Sequence, residues 1–119
     1  MYTKERIVNQ ARTWLGTPFH HQGRVKHVGV DCIGLLVGIA KTLGITVQDE
    51  TDYNRQPDGI RLQQALETHL RPVLLSDVQP GDVLLFTFQK DQQHVGIVSD
   101  LSGGELGLIH AYREARGVV

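Results

Sequence analysis

The sequence predicts an α+β domain in which N-terminal helices pack on a small curled antiparallel sheet. Two observations carry this. Apolar residues recur at helical spacing up to Arg71-Pro72, whereas beyond Pro80-Gly81 the chain breaks into short runs of strand formers separated by turn residues. Helices first and strands after is the pattern of segregated layers, not of an alternating parallel sheet. A third observation sets the scale: 119 residues, 40% of them hydrophobic, suit one domain (1–119) with one modest core, and no repeat, linker or low-complexity stretch divides the chain.

Each element has a local reason. Thr3 can cap a first helix in which Ile7, Val8, Ala11, Trp14 and Leu15 share a face, with Gly16 and Pro18 ending it. Thr17 to Gly29 is polar and histidine-rich, with Gly23 and Gly29 as breakers, and reads as an exposed loop. Asp31 precedes the apolar run from Cys32 to Lys41, a buried helix starting near Cys32 and stopping at Gly44. Thr46 to Pro57 is polar and irregular. Asp58 can then cap a third helix built on Ile60, Leu62, Ala65, Leu66 and Leu70. The strands expected after the Pro80-Gly81 turn are Asp82 to Phe88, His94 to Ser99 and Leu106 to Tyr112.

Composition excludes several function classes. Twelve basic and thirteen acidic residues leave a net charge of −1, too little for a broad field toward nucleic acid. The longest apolar or glycine stretch, Cys32 to Ala40, is far short of the roughly 20 residues that cross a bilayer, so no membrane insertion is expected. The start Met1-Tyr2-Thr3-Lys4-Glu5-Arg6 has no apolar region of the kind a secretory signal needs, which predicts cytoplasmic synthesis and export, if any, by another route. One cysteine excludes an internal disulfide framework and a multi-cysteine zinc site.

The cysteine is then core filler or chemistry. A helix start offers free N–H groups and the positive end of the macrodipole, which stabilise a thiolate and an oxyanion alike. Such a thiol needs a proton acceptor, normally histidine, and the acceptor needs a third group to orient it. Among six histidines, His94 opens one strand and His110 lies in the next, with Ser102-Gly103-Gly104 between them. Strand side chains alternate faces, so a hairpin with a three- or five-residue loop puts both histidines on one face, whereas a two-residue turn separates them. The odd-numbered loop is the expectation. His69 falls in an amphipathic helix, and His20, His21 and His27 lie on the loop before Cys32.

Five blocks in order resemble one family: Trp14-Leu15-Gly16-Thr17-Pro18-Phe19, Val30-Asp31-Cys32-Ile33-Gly34-Leu35, Gln79-Pro80-Gly81-Asp82-Val83-Leu84-Leu85-Phe86, His94-Val95-Gly96-Ile97-Val98 and Ile109-His110-Ala111. Together they resemble the NlpC/P60 family of cell-wall cysteine peptidases. The resemblance implies a papain-like fold and hydrolysis of peptide bonds in the peptidoglycan stem, commonly between D-glutamate and diaminopimelate. It assigns Cys32 as nucleophile, His94 as general base and then acid, and His110 as the residue orienting His94, with no metal or other cofactor. Asp31 would bind a substrate amine, or else only cap the helix. Phe19 stands where the family usually has a tyrosine whose hydroxyl assists the substrate or oxyanion; either a loop group such as His21 or Gln22 replaces that hydroxyl or the enzyme is slow. Ile33 replaces a common serine at no catalytic cost.

The His20-His21-Gln22-Gly23 loop and the Asp31-Cys32-Ile33-Gly34-Leu35 block look most like the phage-encoded, tail-associated branch, which would make other phage tail proteins partners and the virion a location. The tail Gly117-Val118-Val119 is apolar and strand-like where such relatives continue into further sheet. An unpaired edge is expected there, as in a domain truncated or completed by a partner. Competing readings are a structural tail-tip component of the same fold, a related thiol amidase, and a transition-metal site made of His20, His21, His27 and Cys32.

Overall fold

A computed structural model describes residues 3–47, 59–87 and 93–119. The expected Asp58 cap and nearly all of the Thr46–Pro57 stretch lie outside these residues, as does Phe88. Helix α1 runs Lys4–Arg12, with the Thr3 side chain accepting the Arg6 N–H at its start. It ends earlier than the apolar spacing predicts. Trp14 follows on a turn yet is buried, while Leu15 points out and is exposed.

Between Pro18 and Asp31 the chain is less irregular than expected. Arg24–Val25 (β1) pairs antiparallel with Gly29–Val30 (β2), and the turn between them closes from the Val28 N–H to the Val25 carbonyl. His27 holds the left-handed backbone (φ 67°) that the third position of such a turn often requires, and its N–H donates to the buried Thr17 hydroxyl. Helix α2 is Cys32–Thr42 and α3 is Gly59–His69; Leu70, expected on the buried face of α3, is exposed just beyond its end.

The strands β3 (Val83–Thr87), β4 (Gln93–Asp100) and β5 (Leu106–Ile109) form an antiparallel sheet in the order β3-β4-β5. Val83 and Leu85 of β3 lie opposite Ile97 and Val95 of β4. This odd-numbered face packs on α2: Ile97 joins Ala11, Trp14, Val30, Leu35, Ile39, Ile109, Ala111 and Val118 in the main core, and Val95 joins Cys32, with Leu66 of α3 against them. Helices therefore cover one face of a small antiparallel sheet, the predicted α+β arrangement.

The C-terminal edge differs from expectation. Gly117–Val118 (β7) pairs with Ala111–Tyr112 (β6) on one side. On the other side it meets the 16–19 segment: Gly16 N–H donates to the Val118 carbonyl, Val118 N–H to the Thr17 carbonyl, and Phe19 N–H to the Arg116 carbonyl. Val118 is buried in the core. The tail thus lies between β6 and the 16–19 segment, with the hydrogen-bonding groups of Val118 used, and the expected unpaired edge is not there.

Candidate active site

The site begins with a capped helix. Asp31 is almost fully buried, and its Oδ1 accepts the Gly34 N–H at 2.8 Å, fixing the first turn of α2. The same oxygen lies 3.1 Å from the Arg24 guanidinium, and Oδ2 accepts the Gln22 N–H at 2.8 Å. One carboxylate therefore ties the His20–Gln22 loop, the β1–β2 ribbon and the α2 N-terminus together. These are the contacts of a cap and latch.

Cys32, the first residue of α2, is buried against Val95. The N–H groups of Val95, Ile33 and Cys32 itself favour its thiolate, as a helix start should. Burial and the neighbouring Asp31 charge outweigh them, and the thiol is pushed up to about 11. The dipole of the helix start alone does not activate this cysteine. At neutral pH it rests as a thiol and needs a base.

The β4–β5 hairpin has a five-residue loop, since Asp100 pairs with Leu106. His94 and His110 accordingly share a face, and His94 Nε2 lies 2.7 Å from His110 Nδ1. His110 falls at a break between β5 and β6, not inside one strand. There its N–H donates to the Val119 carbonyl and its carbonyl accepts the Val119 N–H, so β7 and its C-terminal neighbour hold the backbone that carries the ring. Gly96, on the same face of β4, leaves room: a Cβ there would come within 3.0 Å of His110 Cβ.

The His94 ring is enclosed by aromatics. Phe86, its cross-strand partner, stacks on it at 6.1 Å, and Tyr112 meets it edge-on at 5.7 Å while stacking on His110 at 5.2 Å. Burial, followed by the charge of the neighbouring His110, lowers His94 to about 4, and burial lowers His110 as well. Both rings are neutral at physiological pH. Parity along the strands, given odd loops, puts Phe86 and Tyr112 on the His94 face, and the register makes Phe86 its direct partner; a search for catalytic residue types passes them over because they act by ring packing.

The remaining candidates lie on the loop. Phe19 is half-buried, packs on the main core and bridges Val30; His21 is half-buried beside the exposed His20, whose Nδ1 is 2.9 Å from the His21 carbonyl oxygen. Among the described residues no three His, Cys, Asp or Glu side chains converge as a metal ion requires, so the metal reading of His20, His21, His27 and Cys32 has no geometry behind it.

A profile of the NlpC/P60 family matches residues 16–118, nearly the whole chain. The chain belongs to the NlpC/P60 family. Two curated relatives, each named "Probable endopeptidase", come from Mycobacterium bovis and Mycobacterium tuberculosis. Each is 36% identical over 91 residues, which is 76% of this chain. The aligned region is 20% of those proteins, so the chain spans about a fifth of the length of the relatives it matches. The mixed helices and small antiparallel sheets are an α+β fold consistent with this family, and no helix among the described residues is long and apolar enough to cross a membrane.

Proposed function

We propose that this domain is a cysteine peptidase of the bacterial cell wall that cuts the peptidoglycan stem, with Cys32 as nucleophile, His94 as general base and acid, and His110 as its orienting partner. The observation that carries the reading is the 2.7 Å contact between His94 on β4 and His110 at the β5–β6 break, with the N–H of Val95, the residue after His94, on the helix-start thiol of Cys32. Family membership and relatives named as endopeptidases support the same reaction class.

The mechanism follows from the resting protonation states. Thiol and imidazole are both neutral, so the proton moves only when the substrate carbonyl arrives. If His94 Nε2–H donates to His110 Nδ1, the lone pair of His94 Nδ1 is left to take the thiol proton. Sγ attacks the carbonyl carbon, and the Cys32 N–H stabilises the oxyanion. Collapse breaks the C–N bond as His94 returns the proton to the leaving amine. Water, deprotonated by His94, then attacks the thioester and releases the acid and the thiol. The aromatic wall of Phe86 and Tyr112 excludes water from the imidazole and limits its rotation.

The preferred bond is the one between D-glutamate and diaminopimelate, and the His20–Gly23 loop favours action from a phage or prophage tail. A second reading, a tail component with weak catalysis, is favoured by Phe19 and by the high thiol. Mass spectrometry of fragments from purified peptidoglycan, treated with wild type or Cys32→Ala, tests both. New termini within the stem, absent with Cys32→Ala, support the peptidase. Whole stem peptides freed from sugar would make it an amidase, and equal digestion by both proteins would remove the thiol mechanism.

A further inference from the structure

We propose that Arg24 is a positioning residue for the nucleophile: it offsets the negative charge that Asp31 places beside Cys32 and pins the β1–β2 ribbon to the start of α2. The inference rests on the reading of Cys32 as nucleophile. Asp31 caps α2 well, but a buried carboxylate next to a thiol that must ionise works against the chemistry. A neutral cap would avoid the conflict. This chain instead keeps the carboxylate and sets a guanidinium on it, 3.1 Å away, with both side chains largely withdrawn from water.

The approach is built into the backbone. The Arg24 guanidinium also donates to the Gly23 carbonyl at 2.9 Å, which folds the side chain back over its own strand and toward the helix. Gly34 supplies the space, because a Cβ there would lie 2.9 Å from Arg24 Nη1 and on top of the Gly23 carbonyl. Arg24 is on β1, paired with Val30, and only Asp31 separates Val30 from Cys32. Ribbon, carboxylate and thiol thus form one short chain of contacts. Among the described residues, the titratable and charged groups near the site include His94 and His110 on the sheet side, Glu114, which acts on His94, and His20 and His21 on the loop whose Gln22 N–H reaches Asp31; Arg24 is a cation that the structure pairs with Asp31.

The test is the rate at which iodoacetamide alkylates Cys32 in the folded protein, followed by intact mass from pH 7 to 9, together with thermal melting of each variant. Arg24→Gln is expected to slow alkylation about ten-fold at every pH in this range, the effect of moving the thiol up by about one pH unit. Arg24→Lys is expected to recover most of the rate, and Asp31→Asn in the Arg24→Gln background to restore it, since asparagine still caps the helix. An unchanged rate in Arg24→Gln overturns the proposal. So does a double variant no faster than Arg24→Gln alone, because that is the behaviour of a merely structural clamp. Alkylation needs no substrate, so the proposal can fail while peptidoglycan cleavage stands, and peptidoglycan cleavage can fail while the proposal stands.

Discussion

Gly34→Ala places one methyl group where the account has no room for it. Gly34 is in the first turn of α2, and its added Cβ would overlap the Gly23 carbonyl oxygen, lie 2.8 Å from Val30 Cγ2 and 2.9 Å from Arg24 Nη1. Ordinary contact between such atoms is about 3.5–4.0 Å, so ribbon and helix must separate by about 1 Å. Overpacking of this kind costs about 1–3 kcal/mol of stability. The functional cost is larger. The same movement shifts Cys32 relative to β4, and a misplacement of about 1 Å at a reacting centre costs on the order of 100-fold in rate. Gly38→Ala is the matched control: its Cβ would strike the Trp14 ring in the core, one turn further from the thiol. The assay is turnover of a soluble stem peptide at a temperature where melting curves show each variant folded. Gly34→Ala should lose about 100-fold in kcat, with Gly38→Ala melting at least as low but losing under about 10-fold. Equal activity losses at equal folding would refute the claim that ribbon-to-helix spacing sets the nucleophile.

Three further outcomes follow from the site. Stability should be greatest between about pH 6.5 and 9. His94 is lowered from 6.5 to about 4, so the unfolded chain binds protons first and up to about 3 kcal/mol is lost as pH falls through that window; Cys32 is raised from 9.0 to about 11, and a similar amount is lost as pH rises through that one. Urea unfolding across pH checks this, and His94→Ala should flatten the acid limb. Phe19→Tyr should retain or raise turnover, since the ring packs as before and gains the hydroxyl of the family pattern; a large loss in the same assay would show the position is used differently. Tyr112→Phe should leave kcat within about three-fold because the ring stacking on His110 survives, whereas Tyr112→Ala should lower kcat about ten-fold with KM little changed, read from stem-peptide kinetics.

Much of the architecture was legible because it rests on local rules. Asp31 before an apolar run marked the helix start and so placed Cys32, and strand parity with an odd loop placed His94 beside His110. What failed depended on long-range pairing. The Gly117-Val118-Val119 tail reads as an open edge because its partners, residues 16–19 and 111–112, are remote in sequence on one side and joined by an unremarkable turn on the other. The loop before Cys32 is largely exposed or half-buried, as its polar residues predict; its β1–β2 ribbon is hidden because contacts that hold it in place, the His27 N–H on Thr17 and Arg24 and Gln22 on Asp31, span 7 to 10 residues. The thiol's direction of shift was also hidden. Helix position argues downward, and only the depth of burial beside Asp31 reverses the balance.

If Cys32 attacks the substrate while His94 takes its proton, the acyl group must pass through the Cys32 thiol. Rapid acid quench during turnover of a stem peptide, followed by intact-mass and peptide mapping, tests it most directly. The wild-type protein should carry a transient acyl group on Cys32, and His94→Ala none. Turnover of the stem peptide by Cys32→Ala at the wild-type rate, or acylation of Cys32 at an undiminished rate in His94→Ala, would contradict it.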